Sequence, residues 1–431
     1  MRLHRTLAPA LLLVLASPVA LALRLDYSVE LGYLHSDNIN LSATDPVDEN
    51  LLIPRVGFRL SETGSAVRAE VNGLLEYRDY LGGAFGNEFR STLDGIVDWT
   101  LIPERMKWTF TDALGLNPIN LRLPDTPGNL QQTNVFATGP TFQFRLASNV
   151  TGLAELRYTD SYAEESSDFN SNRFSGALRG LFELDSTRRL SANIEAADIN
   201  YDSNSAQSDY KRYAGYAGYL QKLSALELDA ALGYSYLDFD NGERARGPLA
   251  RLKLDWRASA QSSFGLSVFR EFSDAATTLA AGNAAFAGGL GGVTIGGATI
   301  SPEVYKDTRV ELRYALNTAR ISLGTAVFAG TIRYEQSGAT DSDRDEHGAR
   351  IDLGFNLRPN LTLGVLAETT RRDYRTGAVD TRDSLYGAYL RQQMSRHWGW
   401  RIDLNRSERH SDGDDLSYDE NTAYVRVIYT R

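Results

Sequence analysis

At 431 residues the chain could hold two or three ordinary soluble domains or one large barrel, and length alone does not choose between them. Its net charge of −10 offers no footing for nucleic acid. The absence of cysteine excludes disulfides, thiolate metal sites, a thiol nucleophile and a lipoprotein anchor, while 22 Tyr and 37 Gly against 12 Pro suit strands and tight turns better than disordered linker.

The N-terminus reads as a secretory leader. Arg2 and Arg5 form a basic start, Leu7 to Leu15 an apolar core interrupted only by Pro9, and Ala20-Leu21-Ala22 a small-residue cleavage site. Cleavage after Ala22 is expected, with Sec-dependent export of residues 23–431. The alternative, an uncleaved anchor, is disfavoured because the apolar core falls short of the roughly 20 residues that span a bilayer. Past residue 22 no window is apolar enough for a transmembrane helix, so the mature chain is soluble outside the cytoplasm or a β-barrel.

Strand periodicity decides between these. Val67, Ala69, Val71, Gly73, Leu75 and Tyr77 share one face and Arg68, Glu70, Asn72, Glu76 and Arg78 the other, a period of two. The division recurs at Ala250, Leu252, Leu254 and Trp256 against Arg251, Lys253, Asp255 and Arg257. It recurs at Val310, Leu312 and Tyr314 against Arg309, Glu311 and Arg313, and at Ile351, Leu353, Phe355 and Leu357 against Arg350, Asp352, Asn356 and Arg358. Near the end, Trp398, Trp400, Ile402 and Leu404 oppose Arg401, Asp403 and Asn405, and Ala423, Val425, Val427 and Tyr429 share a last apolar face.

The connections alternate in length. Short turns stand at 62–64, 102–105, 147–149, 223–225, 317–319, 358–360 and 395–397, and longer polar stretches at 38–49, 118–132, 160–171, 275–302, 336–346, 373–382 and 410–418. A soluble sandwich also alternates along its strands, but its strands are shorter and its connections lack this asymmetry. The pattern predicts an all-β fold: a transmembrane, antiparallel up-and-down β-barrel of about 18–20 strands, from near Asp26 to near Tyr429, with both termini at the short-turn end. Lipid imposes closure, because unpaired amides at an open edge each cost several kcal/mol there. No separate domain is expected.

A barrel of this size encloses an aqueous lumen unless something plugs it. Candidate lumen-lining residues are Arg55, Arg59, Arg68, Glu70, Glu76, Arg78, Arg251, Lys253, Asp255, Arg257, Arg309, Glu311, Arg313, Arg350, Asp352, Arg401 and Asp403, with Asp94 and Asp98 on the same pattern. Such a lining either orders a hydrated solute or pairs its charges across strands. Tyr213, Tyr216, Tyr219, Tyr234 and Tyr236 suit an interface girdle better than a sugar-stacking platform. The Gly/Ala-rich stretch from Ala280 to Ile300 either folds inward as a constriction or extends as a loop.

Asp341, Asp343 and Asp345 alternate, but Glu346 stands where a calcium loop needs Gly, so no metal site is expected. The mature chain's histidines, His35, His347, His397 and His410, stand beside no nucleophile motif, and neither an enzyme nor a cofactor is expected.

Tyr27 to Ser42, read Y-S-V-E-L-G-Y-L-H-S-D-N-I-N-L-S, resembles the opening of the β-barrel porin 2 family, with Asp37-Asn38-Ile39 at the matching positions. Val56 to Leu60, and the turn Leu101 to Trp108 with Pro103-Glu104-Arg105, are similar to that family's second strand and periplasmic turn. The likeness is specific over about the first 120 residues and architectural beyond. It implies a porin-like role in a Gram-negative outer membrane, of the EpsL type, as a conduit for exopolysaccharide. The alternatives are a plugged barrel whose loops bind polysaccharide or a partner, and a general diffusion porin for small solutes. Expected partners are outer-membrane lipid and lipopolysaccharide, whose phosphates acidic loops with Asp412, Asp414 and Asp415 could bridge through cations, the barrel-assembly machinery, polysaccharide and periplasmic export proteins. The resemblance brings no catalytic or ligand residue, and Asp37-Asn38 and Pro103-Glu104-Arg105 read as turn chemistry.

Overall fold

The computed structural model describes residues 23–202, 209–282, 300–336, 340–376, 379–413 and 416–431. The leader at 1–22, most of the Gly/Ala-rich stretch (283–299), and Asp414 and Asp415 lie outside the described residues.

Twenty strands follow one another in chain order: β1 (Arg24–Ser36), β2 (Glu49–Thr63), β3 (Val67–Tyr80), β4 (Glu88–Ile102), β5 (Met106–Pro118), β6 (Leu130–Ala147), β7 (Val150–Ala163), β8 (Ser171–Glu183), β9 (Arg188–Tyr201), β10 (Tyr210–Lys222), β11 (Leu226–Phe239), β12 (Arg244–Arg257), β13 (Ser262–Ser273), β14 (Tyr305–Asn317), β15 (Ile321–Tyr334), β16 (Arg344–Arg358), β17 (Leu361–Tyr374), β18 (Thr381–Gln393), β19 (Trp398–Ser411) and β20 (Tyr418–Thr430). Helix α1 (Ala275–Gly282) follows β13. Each strand pairs antiparallel with its neighbours in sequence, and β1 pairs with β20, so the sheet closes on itself. The last residue takes part: Tyr27 and Arg431 exchange both backbone bonds, at 3.0 and 2.9 Å. This satisfies the edge amides that an open sheet would leave bare in hydrocarbon.

Strand alternation gives the barrel two unlike walls. The outer one is apolar at mid-height, where Ile194 and Leu232 are 66% and 69% exposed because no protein covers them. Small outward residues sink between larger ones: Val67, Ala69, Val71 and Val97 are buried beneath Phe58, Leu60, Leu93 and Phe110. Aromatic pairs gather at both rims, Tyr77 with Phe89 and Tyr158 with Phe174 toward the long loops, Trp256 with Phe264 and Trp398 with Tyr429 toward the short turns. Tyr213, Tyr219, Tyr234 and Tyr236 belong to the outer wall, but Tyr216 points inward, its hydroxyl 2.6 Å from both Arg179 and Glu195. A two-residue period separates it from Tyr213 and Tyr219, which a count of tyrosines overlooks.

The turns are tied by short polar side chains. At 103–105 the backbone reverses with Glu104 at φ 59°, a left-handed residue inside the Pro-Glu-Arg turn. Asp37 accepts from the backbone and side chain of Asn421, both at 2.7 Å, and Asn38 donates to Asp419 O at 2.8 Å, joining the first long loop to the last strand.

Candidate functional site: a charge-lined, constricted lumen

All seventeen candidate lining residues fall on the wall opposite the apolar one, and most have partners there. Glu76, fully buried, accepts from Arg55 Nε and Arg78 Nε, both at 2.6 Å. Arg55 also lies 3.9 Å from Glu30. Glu30 is 3.6 Å from Arg426, Arg426 is 3.5 Å from Asp403, and Asp403 is 2.7 Å from Arg401. This chain of charges runs over β3, β2, β1, β20 and β19 across the seam, with the Tyr424 ring 5.0 Å from the Arg55 guanidinium and 5.3 Å from that of Arg426.

Elsewhere Arg59 pairs with Glu70 at 2.7 Å, Arg251 with Glu271 at 2.5 Å, Lys253 with Asp255 at 3.4 Å, Arg313 with Glu311 at 3.4 Å and Asp98 with Lys107 at 2.9 Å. Arg350 stands 3.9 Å from Glu368, Arg309 lies over Phe328 at 4.1 Å, and Asp352 is 3.5 Å from the Tyr389 hydroxyl. Arg68, Asp94 and Arg257 share the same wall by register, opposite Asp98, Asn72 and Ser263.

Two connections fold into this lumen; the sequence leaves the inward course of the second open and gives no sign of the first. The first, residues 119–129 between β5 and β6, is wound on itself by Asn129. Its side-chain amide donates to Asn120 O and Pro124 O at 2.9 and 3.0 Å and accepts from Asn120 N at 3.0 Å. A loop that satisfies its own carbonyls can leave the rim without strand partners for its backbone. Its Arg122 donates to Asp341 O at 2.6 Å and lies 4.9 Å from the Tyr374 ring. Those partners belong to the β15–β16 connection and β17, about halfway round the barrel. In sequence this stretch reads only as a long polar loop.

The second is α1. Ala275, Ala276 and Leu279 bury against Val135, Ala163, Phe169 and Ile300, placing the helix on the wall formed by β5 and β6. Its anchor is Asp274, 1% exposed, whose carboxylate accepts from Arg173 of β8, from the Tyr210 hydroxyl of β10 and from Thr277 N at 2.7 Å. The last bond caps the helix. Burial alone would raise the Asp274 carboxyl, but Arg173 and these donors hold it at about 2. Among the described residues the lumen is narrowed by Ala275–Gly282 and by residues 119–129, while most of Ala280–Ile300, for which the sequence allows both an inward fold and an extended loop, lies outside them.

Within the first loop, Asp125 faces Arg409 of β19, Arg372 of β17 and Arg90 of β4. Burial raises its carboxyl above the usual range, with Arg409 and Arg372 opposing. Asp383 bridges the two arginines at 2.5 Å each, and Arg409 Nη1 is buried with no hydrogen-bond partner among the described residues. None of Arg90, Asp125, Arg372 and Arg409 was singled out from sequence; the same period-two reading, carried to the long-loop ends of the strands, finds the three arginines. The lumen keeps a cavity of about 1200 Å³ touched by Arg55, Arg78, Arg350, Arg401 and Asp403, and another of about 880 Å³ touched by Arg179, Arg251, Lys253, Glu271 and Arg309.

The histidines do other work. His35 lies 3.1 Å from Asn50 Oδ1 and His397 2.8 Å from Thr430 O, both near strand ends. Asp343 accepts from Tyr334 N at 2.7 Å and Asp345 pairs with Arg333, so two of the alternating aspartates hold the β15–β16 connection.

The fold and its two walls define a class: a closed, all-antiparallel 20-stranded β-barrel of the membrane-spanning kind. No family model matches the chain, and no curated protein matches it in sequence. The chain is also similar to solved structures. Pseudomonas aeruginosa OccK2 (OpdF), solved in complex with glucuronate, is 12% identical over 95% of this chain and 98% of its own, with a TM-score of 0.40. The P. aeruginosa ferric enterobactin receptor PfeA, as a G324V mutant, is 8% identical over 94% and 80%, with a TM-score of 0.48. The FrpB iron transporter of Neisseria meningitidis is 10% identical over 94% and 82%, with a TM-score of 0.44.

Proposed function

We propose that this protein is an outer-membrane channel for small, hydrated, charged solutes, exported through a leader at residues 1–22 and inserted by the barrel-assembly machinery. The observation that carries this reading is the crossing of a charge-lined lumen by residues 119–129 and α1. The crossing leaves two water-accessible compartments in the lumen. Paired charges at the walls keep the passage polar, and Asp125 opposite Arg90, Arg372 and Arg409 sets a field across its narrow part. The apolar outer wall at mid-height supports membrane insertion, and the short turns at the terminal end support a periplasmic position for that end. No chemistry on a substrate is proposed.

The finer reading, a conduit for exopolysaccharide with periplasmic export proteins as partners, rests on the resemblance at Tyr27–Ser42 and Leu101–Trp108 and requires both inward segments to withdraw. Single-channel recording of the mature chain in planar bilayers tests both. Steps that persist and are indifferent to oligosaccharides of increasing length support the small-solute channel. Length-dependent block by oligosaccharides supports the conduit. A closed barrel without conductance overturns both and leaves a plugged barrel whose loops bind a surface partner.

A further inference from the structure

The outward face of β16–β19, toward the long loops, carries a row of side chains that passage through the lumen does not use. Register sets His347 opposite Arg371, Arg371 opposite Arg382, and Arg382 opposite His410. The four stand abreast on adjacent strands, about 4.8 Å apart in the hydrogen-bonding direction. Their chain neighbours Glu346, Arg372, Asp383 and Arg409 turn into the barrel and pair with one another there, so alternation puts the row outside. His347, Arg382 and His410 are exposed and Arg371 is half-buried. Two outward positions nearer mid-height β16, β17 and β18 carry Ile351, Ala367 and Tyr386, while β19 carries Arg406 and turns apolar only at Leu404, so the row stands near the border between apolar wall and water.

Like charges set directly opposite across strands are destabilising, and a sheet keeps them where an anion sits between. Within the chain Asp373 supplies one, at 2.6 Å from Arg371 and 4.0 Å from His347. Arg382, between Arg371 and His410, makes no ion pair with a described residue. On β5–β9 the outward residues toward the long loops include Asp160 and Asp198 and no Lys or Arg, whereas β16–β19 set Asp345, Asp373 and Glu408 on the same face as the row.

We infer that His347, Arg371, Arg382 and His410 form a binding site for the phosphates of an outer-leaflet glycolipid, the lipid A part of lipopolysaccharide. The acyl chains lie against the apolar wall below, and the phosphates meet the row, with the Arg382 guanidinium as their main ligand. This rests on the outer-membrane reading above.

The test is native mass spectrometry of the full mature protein extracted from outer membranes in mild detergent, with bis-phosphorylated lipid A added, and separately its dephosphorylated form. Wild type is expected to hold the bis-phosphorylated lipid at least about tenfold more tightly than an Arg371→Gln/Arg382→Gln variant, given what each basic side chain contributes near an anionic surface. Dephosphorylation is expected to remove the difference. Equal retention by both proteins, indifference of wild type to the phosphates, or a polypeptide bound at the arc in place of lipid overturns the inference. Heat-modifiable migration shows whether the double variant is a closed barrel; if it is not, Arg382→Gln alone carries the comparison. Membrane fractionation and conductance of the same wild-type preparation decide the reading beneath it independently.

Discussion

Replacing Asp274 by Asn is the most direct way to ask whether α1 narrows the channel. The substitution keeps the cap on Thr277 N but removes the charge that Arg173 and the Tyr210 hydroxyl meet. Arg173, 16% exposed at its side chain, is then left without its ion-pair partner, a situation that costs about 3–5 kcal/mol in buried pairs. The apolar contacts that remain to the helix are Ala275, Ala276 and Leu279, of which only Leu279 is large. Loss of the tether should therefore free α1 while the barrel, whose ladder is untouched, stays closed. Asp274→Asn is expected to give larger and noisier single-channel currents with unchanged heat-modifiable migration. Acid should mimic it. A carboxyl held at about 2 against a usual 3.8 contributes stability that is complete above pH 4 and is lost as pH falls toward 2, worth about 2–3 kcal/mol. Wild-type currents should thus grow and become noisy between pH 4 and 2, and Asp274→Asn currents should change less. Identical conductance and noise in the two proteins at pH 7 would refute the reasoning.

Arg122→Ala removes one hydrogen bond and one ring contact at the far attachment of residues 119–129, about 1–2 kcal/mol in all, and should raise conductance modestly without lowering the melting temperature of the barrel. Asp125→Asn deletes the one carboxylate opposite Arg90, Arg372 and Arg409 on that loop and should shift the reversal potential in a salt gradient toward anion selectivity; a shift toward cations would contradict the proposed field. Glu76→Gln removes the negative charge shared by Arg55 and Arg78 and turns one of its two acceptor oxygens into a donor, and should destabilise the barrel by about 3–5 kcal/mol, read as a lower temperature for loss of heat-modifiable migration.

The barrel was legible in the sequence because its strands alternate cleanly where charges are frequent, as at Arg251 to Arg257, and because short and long connections take turns. Two short turns escaped that reading. Residues 184–187 contain neither Gly nor Pro, and Asp185 makes the reversal by accepting from Thr187 N and Arg188 N at 2.8 Å each. At 258–261 Ser259 does the same for Gln261 and Ser262. Inward folding of residues 119–129 could not be read at all, since the partners that direct it, Asp341 and Tyr374, lie over 200 positions away. Helix α1 was hidden for a different reason: Ala275–Gly282 is rich in helix formers but lies within a stretch that reads as loop from 275 to 302. Ion-pair partners were equally out of reach, because a period of two says which face a charge occupies and only register says what it meets. Glu30 and Arg426, which join the seam, stand on the first and last strands.

That seam gives the final strand a second task. Arg426, the cation between Glu30 on β1 and Asp403 on β19, arrives with β20. Without it Glu30 and Asp403 keep only Arg55 and Arg401 beside them, so the last strand completes the charge balance across the closure as well as its hydrogen bonds.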